Sequence, residues 1–530
     1  MTDREFSLPN NYTLYWGDLH KHMTGPGAEV TRLKQVVEHA REHLDFVSVF
    51  CYPFKWYRKG REGGVREESV QNVSGVHEWW ERIQATSAEC LDTGEFVTFP
   101  AYEWNGNRRQ WGDHHIIYRD EGQPLDDEWD LPQLYENMCD RDALVIPHHT
   151  GYLVGERGKD WDVHDSSLSP VAEIYSSHGS SEGIETPVPM NDNVDMGPRT
   201  SGGTYQEALD RGRHVGVVAS NDGPGLPGTW NKGLAGVWAT DLTRDAIWDA
   251  IHERRTYGVT GDRIALWWDI DGKPIGSTLE GAVAPSAHVS VDCPRPLNRV
   301  ELVRNGDAER IYTHSTAENP SNDGTFRTAV EFGWGPSLAY GDFEDLIHEW
   351  TGTLRAKNGT IRRVWPRFVG FGQSFEHRGD VCHFDLVTSR DAEREGFLPE
   401  EQARSYRQGL VLEYSGGPNT DLVVDLDGHN ALEVTHTSLI ERTHLFPFVD
   451  ESWERFETEF GLSPEEIKNE DVIYHNARKV RIHRSHPRSA CRASVVFEDL
   501  PVGDDGSHYY LRVVQTDNQR AWSSPIWIET

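Results

Sequence analysis

The first half of the chain alternates between short apolar runs and longer segments with apolar residues at helical spacing. Residues 46–50 read as a buried strand, and residues 30–44 place apolar side chains on one face of a helix. Repeated strand and helix segments are typical of a parallel sheet or barrel. Further strands are predicted at residues 12–19, 95–100, 143–146, 171–175 and 215–219, and further helices at residues 77–89, 205–211 and 244–254, the last with Thr243 as its N-cap.

After about residue 285 the pattern changes to short segments of alternating apolar and polar residues. Turn pairs such as Asn305-Gly306 separate them, as in β-hairpins. We therefore predict two domains. Residues 1–282 form an α/β domain, and residues 283–530 form an all-β, sandwich-like domain with insertions.

The chain contains 19 tryptophans, and three of them lie in the middle of the β-rich half. Trp334, Trp350 and Trp365 fit either a carbohydrate-binding surface or the core of the domain. Core packing is the expected role, because large aromatic side chains dominate protein interiors.

Composition and charge narrow the classes of function. The formal net charge of −34 repels phosphate backbones and anionic lipids, so we expect no nucleic-acid and no membrane partner. Residues 1–15 lack the basic and apolar regions of a signal peptide, and the six cysteines form no C-x-x-C pair. A cytoplasmic location and a small-molecule substrate are expected. The oligomeric state, including a homo-oligomer, stays open.

Candidate metal ligands begin at the end of the first predicted strand. His20 and His22 are two residues apart, so the alternation of a strand directs both imidazoles to the same side. A pair of neutral imidazoles suits zinc, manganese or iron. Asp18 stands two residues before this pair.

Later strand ends supply further ligand types. Glu103 follows the predicted strand at residues 95–100, and a carboxylate among aromatic side chains needs a cation or strong hydrogen bonds. Two His-His pairs follow, and in each pair one histidine can bind a metal while the other orients it or binds substrate. Because the carboxyl ends of parallel strands meet at one edge, we predict a metal site there. The remaining candidates are His114, His115, His148, His149, Glu173, His178 and Asp222.

The order of these residues resembles the PHP superfamily, named for polymerase and histidinol phosphatase. The chain is most similar to a large, poorly characterised branch of that superfamily with a C-terminal β-rich domain. The similarity spans nearly the whole chain and is weakest in the middle of the β-rich half. The motifs that carry it lie at residues 17–20, 102–104, 147–151, 173–176, 254–257, 260–264 and 521–527.

The resemblance implies a fold and a ligand set. The fold would be α/β, a distorted (βα)7 barrel of the PHP type followed by the all-β, sandwich-like domain. Glu103 would bridge two metals through its two oxygens. The first metal would bind His20, His22 and Asp222, and the second would bind His114 and His149. The alternatives left open by the sequence are His115, His148, Glu173 and Asp18.

The family's third metal has no ligands here. Its three histidine positions correspond to Ala28, Tyr52 and Pro224. All three losses fall on one metal, whereas every candidate ligand of the other two metals remains. We therefore expect a dinuclear site with two divalent ions (manganese, iron or zinc), and Tyr52 filling part of the third pocket.

The expected function is a metal-dependent hydrolase, with a phosphoesterase favoured. Two metals about 3.5–4 Å apart activate a water molecule and hold both oxygens of a displacement. Asp222 would orient or deprotonate the water, and His178 would protonate the leaving group. Two alternatives stay open. One is a hydrolase of C–O or C–N bonds such as a lactonase or amidohydrolase, and the other is a catalytically degenerate binding or sensor module.

Overall fold

The computed structural model describes most of the chain and divides it into two compact units. The N-terminal unit comprises Met1–Asp292, Asn298–His314 and Ala493–Thr530, and the second unit comprises Cys293–Leu297 and Ser315–Arg492. The described residues are 11–22, 30–50, 75–190, 196–223, 226–315, 324–337, 339, 341, 343–390, 405–468 and 471–530, without the side chains of residues 22, 30–32 and 50.

The N-terminal unit contains strands and helices in alternation, followed by a run of strands. Its strands are β1 (Thr13–His22), β2 (Phe46–Phe50), β3 (Val97–Trp104), β4 (His114–Tyr118), β5 (Ala143–Pro147), β6 (Val171–Ser176), β7 (Gly179–Ser180), β8 (Gly216–Ala219), β9 (Leu234–Ala239), β10 (Thr256–Val259), β11 (Ala265–Ile270), β12 (Lys273–Pro274), β13 (Thr278–Glu280), β14 (Ala287–Asp292), β15 (Leu297–Arg304), β16 (Asp307–Thr313), and, near the C-terminus, β28 (Arg492–Phe497), β29 (Ser507–Gln515), β30 (Arg520–Ser523) and β31 (Ile526–Glu529). Its helices are α1 (Val30–Arg41), α2 (Val76–Cys90), α3 (Arg108–Trp111), α4 (Leu131–Met138), α5 (Tyr205–Asp210) and α6 (Arg244–His252).

The main sheet of this unit runs in the order β13-β31-β29-β30-β10-β9-β1-β2-β3-β4-β5. Strands β1, β2 and β3 are parallel, whereas β3, β4 and β5 pair antiparallel. A separate three-stranded sheet places β6 and β8 side by side in parallel. The predicted mixed α/β class is confirmed. The closed (βα)7 barrel stays a prediction.

Apolar packing explains why these segments form a sheet. Leu19 on β1, Phe46 on β2 and Ile146 on β5 are buried in one apolar cluster. Gly17 lies directly over Phe46, and a Cβ at residue 17 would stand 2.2 Å from that ring. Glycine is therefore required for β1 and β2 to pair at this point. The predicted N-cap of α6 is confirmed, because the Thr243 side chain accepts a hydrogen bond from the backbone N–H of Ala246 at 3.1 Å.

The C-terminal strands complete the N-terminal sheet. Strand β30 pairs with β10, and β29 pairs with both β30 and β31. The predicted boundary at residues 282/283 therefore differs from the observed division, which assigns Ala493–Thr530 to the N-terminal unit. Hydrogen bonding between distant strand edges produces this return, and a hydrophobic pattern carries no sign of it.

A buried carboxylate ties these last strands to the rest of the unit. Glu182 is fully buried, and its Oε1 accepts hydrogen bonds from Arg512 Nε at 3.0 Å and from the Tyr510 hydroxyl at 2.8 Å. Its Oε2 accepts from Trp522 Nε1 at 2.9 Å. The Arg512 guanidinium also binds Glu301 on β15. Every polar atom of the Glu182 side chain is thus satisfied, which a buried charge requires.

The second unit is rich in β-structure and contains two sheets. The first runs β19-β22-β17-β26-β25, with β27 beside β17, and the second runs β20-β21-β18-β23-β24. Phe332 on β17 contacts Trp350 on β18 and Phe384 on β21, at ring-centroid distances of 5.6 and 4.9 Å. Aromatic side chains therefore join the two sheets, as in a sandwich. The strands are β17 (Thr325–Gly333), β18 (Ile347–Lys357), β19 (Thr360–Arg367), β20 (Ser374–Arg378), β21 (Val381–Ser389), β22 (Arg407–Ser415), β23 (Asp421–Leu426), β24 (Leu432–Thr435), β25 (His444–Pro447), β26 (Lys479–Ile482) and β27 (His486–Pro487), and the helices are His436–Glu441, Val449–Phe460 and Asp471–Asn476, with a short 3-10 helix at Arg488–Cys491.

Helices in the described part of the chain are short and largely amphipathic. None of them combines the length and the apolar character needed to cross a bilayer.

The Glu182 interactions generate a stability prediction. We expect Glu182→Ala to lower the free energy of unfolding by about 3–5 kcal/mol, because the buried Arg512 guanidinium loses its main counter-charge. Urea denaturation followed by tryptophan fluorescence measures the effect. Glu185→Ala, at an exposed position of the same segment, is the matched control and should change the value by less than about 0.5 kcal/mol. Equal effects of the two substitutions would contradict the role given to Glu182.

Candidate metal centre

The candidate site begins at His20 on β1, which lies against carboxylates on both sides of its ring. The Nδ1 atom is 2.7 Å from Glu173 Oε2, and the Nε2 atom is 3.4 Å from Asp222 Oδ1 and 3.7 Å from Glu103 Oε2. Imidazoles that bind metals commonly donate their other N–H to a carboxylate. Glu173 occupies that position, which directs His20 Nε2 toward Glu103 and Asp222.

Asp18 anchors the backbone around the site. Its carboxylate accepts hydrogen bonds from the backbone N–H groups of His20 at 3.0 Å, Asn221 at 3.2 Å and Gly228 at 2.8 Å. These bonds join β1 to the segment after β8, where Asp222 lies. In addition, the Asp222 N–H donates to the His20 carbonyl at 2.9 Å. Asp18 thus positions two candidate ligands.

Glu103 lies within β3 rather than after it, because pairing with β4 extends the strand to Trp104. Its two oxygens face different imidazoles. Oε2 faces His20, as described, and Oε1 is 3.1 Å from His148 Nε2. With 2% of its surface exposed, the carboxylate is well placed between two groups of nitrogen donors.

Strand register separates the two histidines of the first His-His pair. Glu103 stands directly opposite His115 in the antiparallel pairing of β3 and β4, and Trp104 stands opposite His114. Opposed residues of an antiparallel pair share a face of the sheet. His115 Nδ1 is therefore 3.2 Å from His148 Nδ1, whereas the His114 ring lies against the Trp104 ring at 5.8 Å. His114 is turned away from the donors around Glu103.

The second His-His pair contributes both of its members. His148 follows β5 and lies between Glu103 and His115. His149 Nε2 is 3.4 Å from Asp113 Oδ2, and its ring is 4.6 Å from that of His178. The Nδ1 atom of His149 is buried and makes no hydrogen bond within the described part of the chain.

Asp222 and His178 form the more open side of the site. Asp222 Oδ2 is 3.3 Å from His178 Nε2, and Tyr152 Oη is 2.7 Å from His178 Nδ1. The His178 side chain is 12% exposed, more than those of His20, His148, His149 or Asp222. His178 is therefore the most exposed of these five side chains.

Two site residues adopt the left-handed region of backbone conformation. His149 has a φ of 34° and Asp222 a φ of 45°. This region is uncommon for residues other than glycine, and such residues are often found at functional sites.

The electrostatic environment favours neutral imidazoles at most positions. Burial lowers the pKa values of His115 and His149 well below the ordinary value, and neighbouring imidazoles lower them further. Burial also acts to lower the pKa of His20, but the carboxylates of Asp222, Glu173 and Glu103 outweigh it and raise the pKa well above the ordinary value. His20 therefore lies where negative charge is concentrated, and where a cation would be stabilised.

The donor set fits divalent metal ions. Four overlapping groups of three side chains each place their ligand atoms within 4.8 Å of one another. Two ligands about 2.1 Å from one ion stand about 3.0–3.4 Å apart, close to the spacings around Glu103 and Asp222. Buried carboxylates without cations would carry a large desolvation cost. The four groups are His20, His115 and His148; Asp113, His148 and His149; His149, His178 and Asp222; and His20, Glu173 and Asp222.

The structure brings together most of the residues predicted from the sequence. Those that meet are His20, Glu103, His115, His148, His149, Glu173, His178 and Asp222. His114 and the Asp18 carboxylate are directed elsewhere. The side chain of His22, and the whole of Ala28, Tyr52 and Pro224, lie outside the described residues.

Two residues of the site were not predicted from the sequence. Asp113 faces His149 and accepts a hydrogen bond from Arg157 Nε at 2.6 Å, and Tyr152 contacts His178. Asp113 immediately precedes the first His-His pair, and this position could have identified it as a candidate site residue. Tyr152 carries no comparable signal.

Comparison with known proteins yields relatives of unassigned function. A family model described as "Protein of unknown function (DUF3604)" matches residues 221–268, a segment that includes Asp222. An uncharacterized protein of Chlamydia pneumoniae is 26% identical over 270 residues, which cover 46% of this chain and 42% of that protein. An uncharacterized protein of Chlamydia muridarum is 29% identical over 200 residues, 34% of this chain and 32% of that protein. The chain spans less than half the length of the curated relatives it matches.

A solved structure is also similar to this chain. It is a two-domain protein from Bacteroides vulgatus described as containing a predicted PHP-like metal-dependent phosphoesterase. The alignment covers 82% of this chain and 99% of that chain, with 10% sequence identity and a TM-score of 0.32. Similarity at this level carries no argument about fold or activity.

Proposed function

We propose that this chain is a metal-dependent hydrolase of the PHP superfamily, built on the distorted (βα)7 barrel of that superfamily, and that it hydrolyses a phosphoester of a small molecule. The observation that supports this most directly is Glu103, whose two oxygens face His20 and His148 at 3.7 and 3.1 Å. A buried carboxylate between two sets of imidazoles suits the bridging of two divalent ions.

Each ion would be held by residues on one side of Glu103. His20, Asp222 and Glu103 Oε2 would hold the first, together with His22. His115, His148 and Glu103 Oε1 would hold the second, in place of the predicted pair His114 and His149, because His148 rather than His149 faces Glu103. His149 Nε2 faces Asp113 at 3.4 Å instead. Manganese, iron and zinc all accept such mixtures of imidazole and carboxylate. When bound, divalent ions lower the pKa of water and neutralise charge on phosphoryl oxygens.

The protein's own groups divide the proton transfers between them. Asp222 has one oxygen toward His20 and the other toward His178, so it is placed to orient the attacking water and accept its proton. In the imidazolium form of His178, Nδ1–H donates to the Tyr152 hydroxyl and the transferable proton lies on Nε2. Burial lowers the pKa of His178, with partial opposition from Asp222, which makes the imidazolium a stronger acid toward a leaving oxygen.

A hydrolase of lactones, other carboxylic esters or amides is the second candidate. Two cationic side chains of this region are already engaged: Arg157 binds Asp113 and Lys21 Nζ donates to the Gly223 carbonyl at 3.1 Å. This arrangement favours a substrate with less negative charge than a phosphate monoester. The same site could then act on a neutral carbonyl.

The dinuclear proposal predicts metal content. Protein purified without chelators or an affinity metal should contain about two equivalents of manganese, iron or zinc by elemental mass spectrometry. Glu103→Ala should lose both ions because it removes the bridging carboxylate. His115→Ala should lose about one, whereas the adjacent His114→Ala should retain both because its ring faces Trp104. Unchanged metal content in Glu103→Ala would refute the bridging role.

The assignment of His178 predicts a kinetic effect. Metal-loaded protein should hydrolyse an aryl phosphate such as p-nitrophenyl phosphate, and His178→Gln should lower kcat by about 10²–10⁴-fold without changing metal content. His288→Gln, at a partly exposed histidine that faces Asp269 on β11, is the control and should keep full activity. Turnover of lactones or amides alone would favour the second candidate. No turnover of any of these classes by metal-loaded protein would contradict a hydrolase and favour a binding module.

A further inference from the structure

The second unit contains a cavity of about 400 Å³, well separated in sequence from the residues of the metal centre. Its volume falls in the range of roughly 300–1,000 Å³ that small-molecule sites occupy. Among the described residues that line it, none is an aspartate or glutamate. The basic and aromatic side chains of its lining are Arg390, His475, Lys479, Arg481, Trp334 and Tyr474. A basic lining is unexpected in a chain of net charge −34.

Lys479 is the central cation of this cavity. Its side chain is 8% exposed, and Nζ donates to the carbonyls of Tyr474 at 2.8 Å and Ala477 at 2.6 Å. Both acceptors are neutral, and no described carboxylate forms an ion pair with Lys479. Burial lowers the pKa of Lys479 to about 8. An ammonium has three donors, so one N–H of this buried charge is left for an anion.

Arg481, unlike Lys479, already forms an ion pair within the protein, with Glu331. Its Nε donates to Glu331 Oε2 at 2.6 Å, and Nη2 binds the same oxygen. Held in this way, the guanidinium lies over the Trp334 ring, with Cζ 5.3 Å from the ring centroid. Trp334 itself has a φ of 76°, a strained conformation for a bulky residue, of a kind found at ligand sites. Arg481 therefore helps to fix the indole at the cavity.

The aromatic side chains of the cavity are accessible, unlike the tryptophans in the core of this unit. Trp350 and Trp365 are 2% and 5% exposed and belong to that core, as their sequence context predicted. In contrast, Tyr474 is 45% exposed, and Leu445 beside the same cavity is 43% exposed. Lys479 Nζ lies 4.6 Å from the centroid of the Tyr474 ring. The buried ammonium and an exposed aromatic ring are therefore adjacent.

We propose that this cavity binds an acidic monosaccharide, with the Lys479 ammonium contacting the anionic group of the sugar and the rings of Tyr474 and Trp334 packing against its apolar face. Aromatic side chains pack well against sugar rings because both present flat apolar surfaces, and a buried ammonium selects the charge. This binding site is independent of the proposed metal-dependent activity.

Isothermal titration calorimetry on the whole 530-residue chain tests this proposal, with glucuronate as the probe. We expect saturable binding with a dissociation constant of about 0.1–1 mM. Lys479→Met keeps an unbranched stem of similar length and should weaken binding at least about tenfold, because it removes the charge. Lys357→Met, at an exposed lysine of the same unit that pairs with Glu433, is the matched control and should leave binding unchanged.

Two further variants test the role of the aromatic ring and the independence of the cavity from the metal centre. Tyr474→Leu changes an exposed side chain and should weaken glucuronate binding about threefold or more without affecting the thermal unfolding transition. It replaces Lys479→Met if that variant fails to fold. Glu103→Ala should bind glucuronate normally, which distinguishes this cavity from the metal centre.

Several results would overturn the proposal. These are an absence of saturable glucuronate binding up to about 10 mM, equal affinity in Lys479→Met, and loss of binding in Glu103→Ala. Glucose binding as tightly as glucuronate would show that charge is not recognised. Acetate binding as tightly as glucuronate would show that the ring is not recognised.

Discussion

Burial of carboxylates beside imidazoles is the constraint on which the N-terminal unit depends. Glu103, Glu173, Asp113 and Asp222 are almost completely withdrawn from water at one end of the sheets. A charge in that position is tolerated only when cations or hydrogen-bond donors surround it. The surrounding histidines meet that need in part, and divalent ions would meet the rest.

Hydrogen bonds made by residues outside the group of candidate ligands fix the backbone around the site. Asp18 holds three backbone N–H groups and thereby joins β1 to the segment that carries Asp222. The pairing of β3 with β4 sets His115 opposite Glu103. Precise placement of donor atoms therefore rests on ordinary hydrogen bonding of the main chain, which is rigid because it is buried.

Much of the site could be predicted from the sequence because its histidines and carboxylates lie at or near the ends of predicted strands. The alternation of β1 and the chemistry of His20, Glu103 and Asp222 were sufficient to indicate a metal site. The choice between His114 and His115 could not be made, since it depends on which residue of β3 stands opposite each of them. Tyr152 was missed for a similar reason, because its contact with His178 joins separate segments of the chain. Hydrophobic patterns describe each segment alone and contain no information on register between segments.

The fold class followed from the sequence more readily than the division into units. Regular alternation in the first half predicted α/β structure, and short alternating segments predicted the β-rich second unit. The return of Ala493–Thr530 to the first sheet was not predictable, because the pairing of β30 with β10 is made by main-chain hydrogen bonds, which leave no mark on the hydrophobic pattern. The three tryptophans of the second unit also show what sequence alone cannot decide. Composition favoured the core for all three, and only the structure distinguishes Trp334 from Trp350 and Trp365.

The return of the C-terminal strands has a consequence for biosynthesis. The second unit is almost continuous in sequence, so a nascent chain can fold it as soon as its residues have been made. Completion of the N-terminal sheet is delayed during synthesis. Strand β10 can pair with β30 only after nearly half of the polypeptide, which lies between them, has been made. During that interval one edge of its sheet stays open and prone to wrong pairing. Chaperone dependence and sensitivity to premature termination should therefore fall on the unit that carries the candidate metal centre.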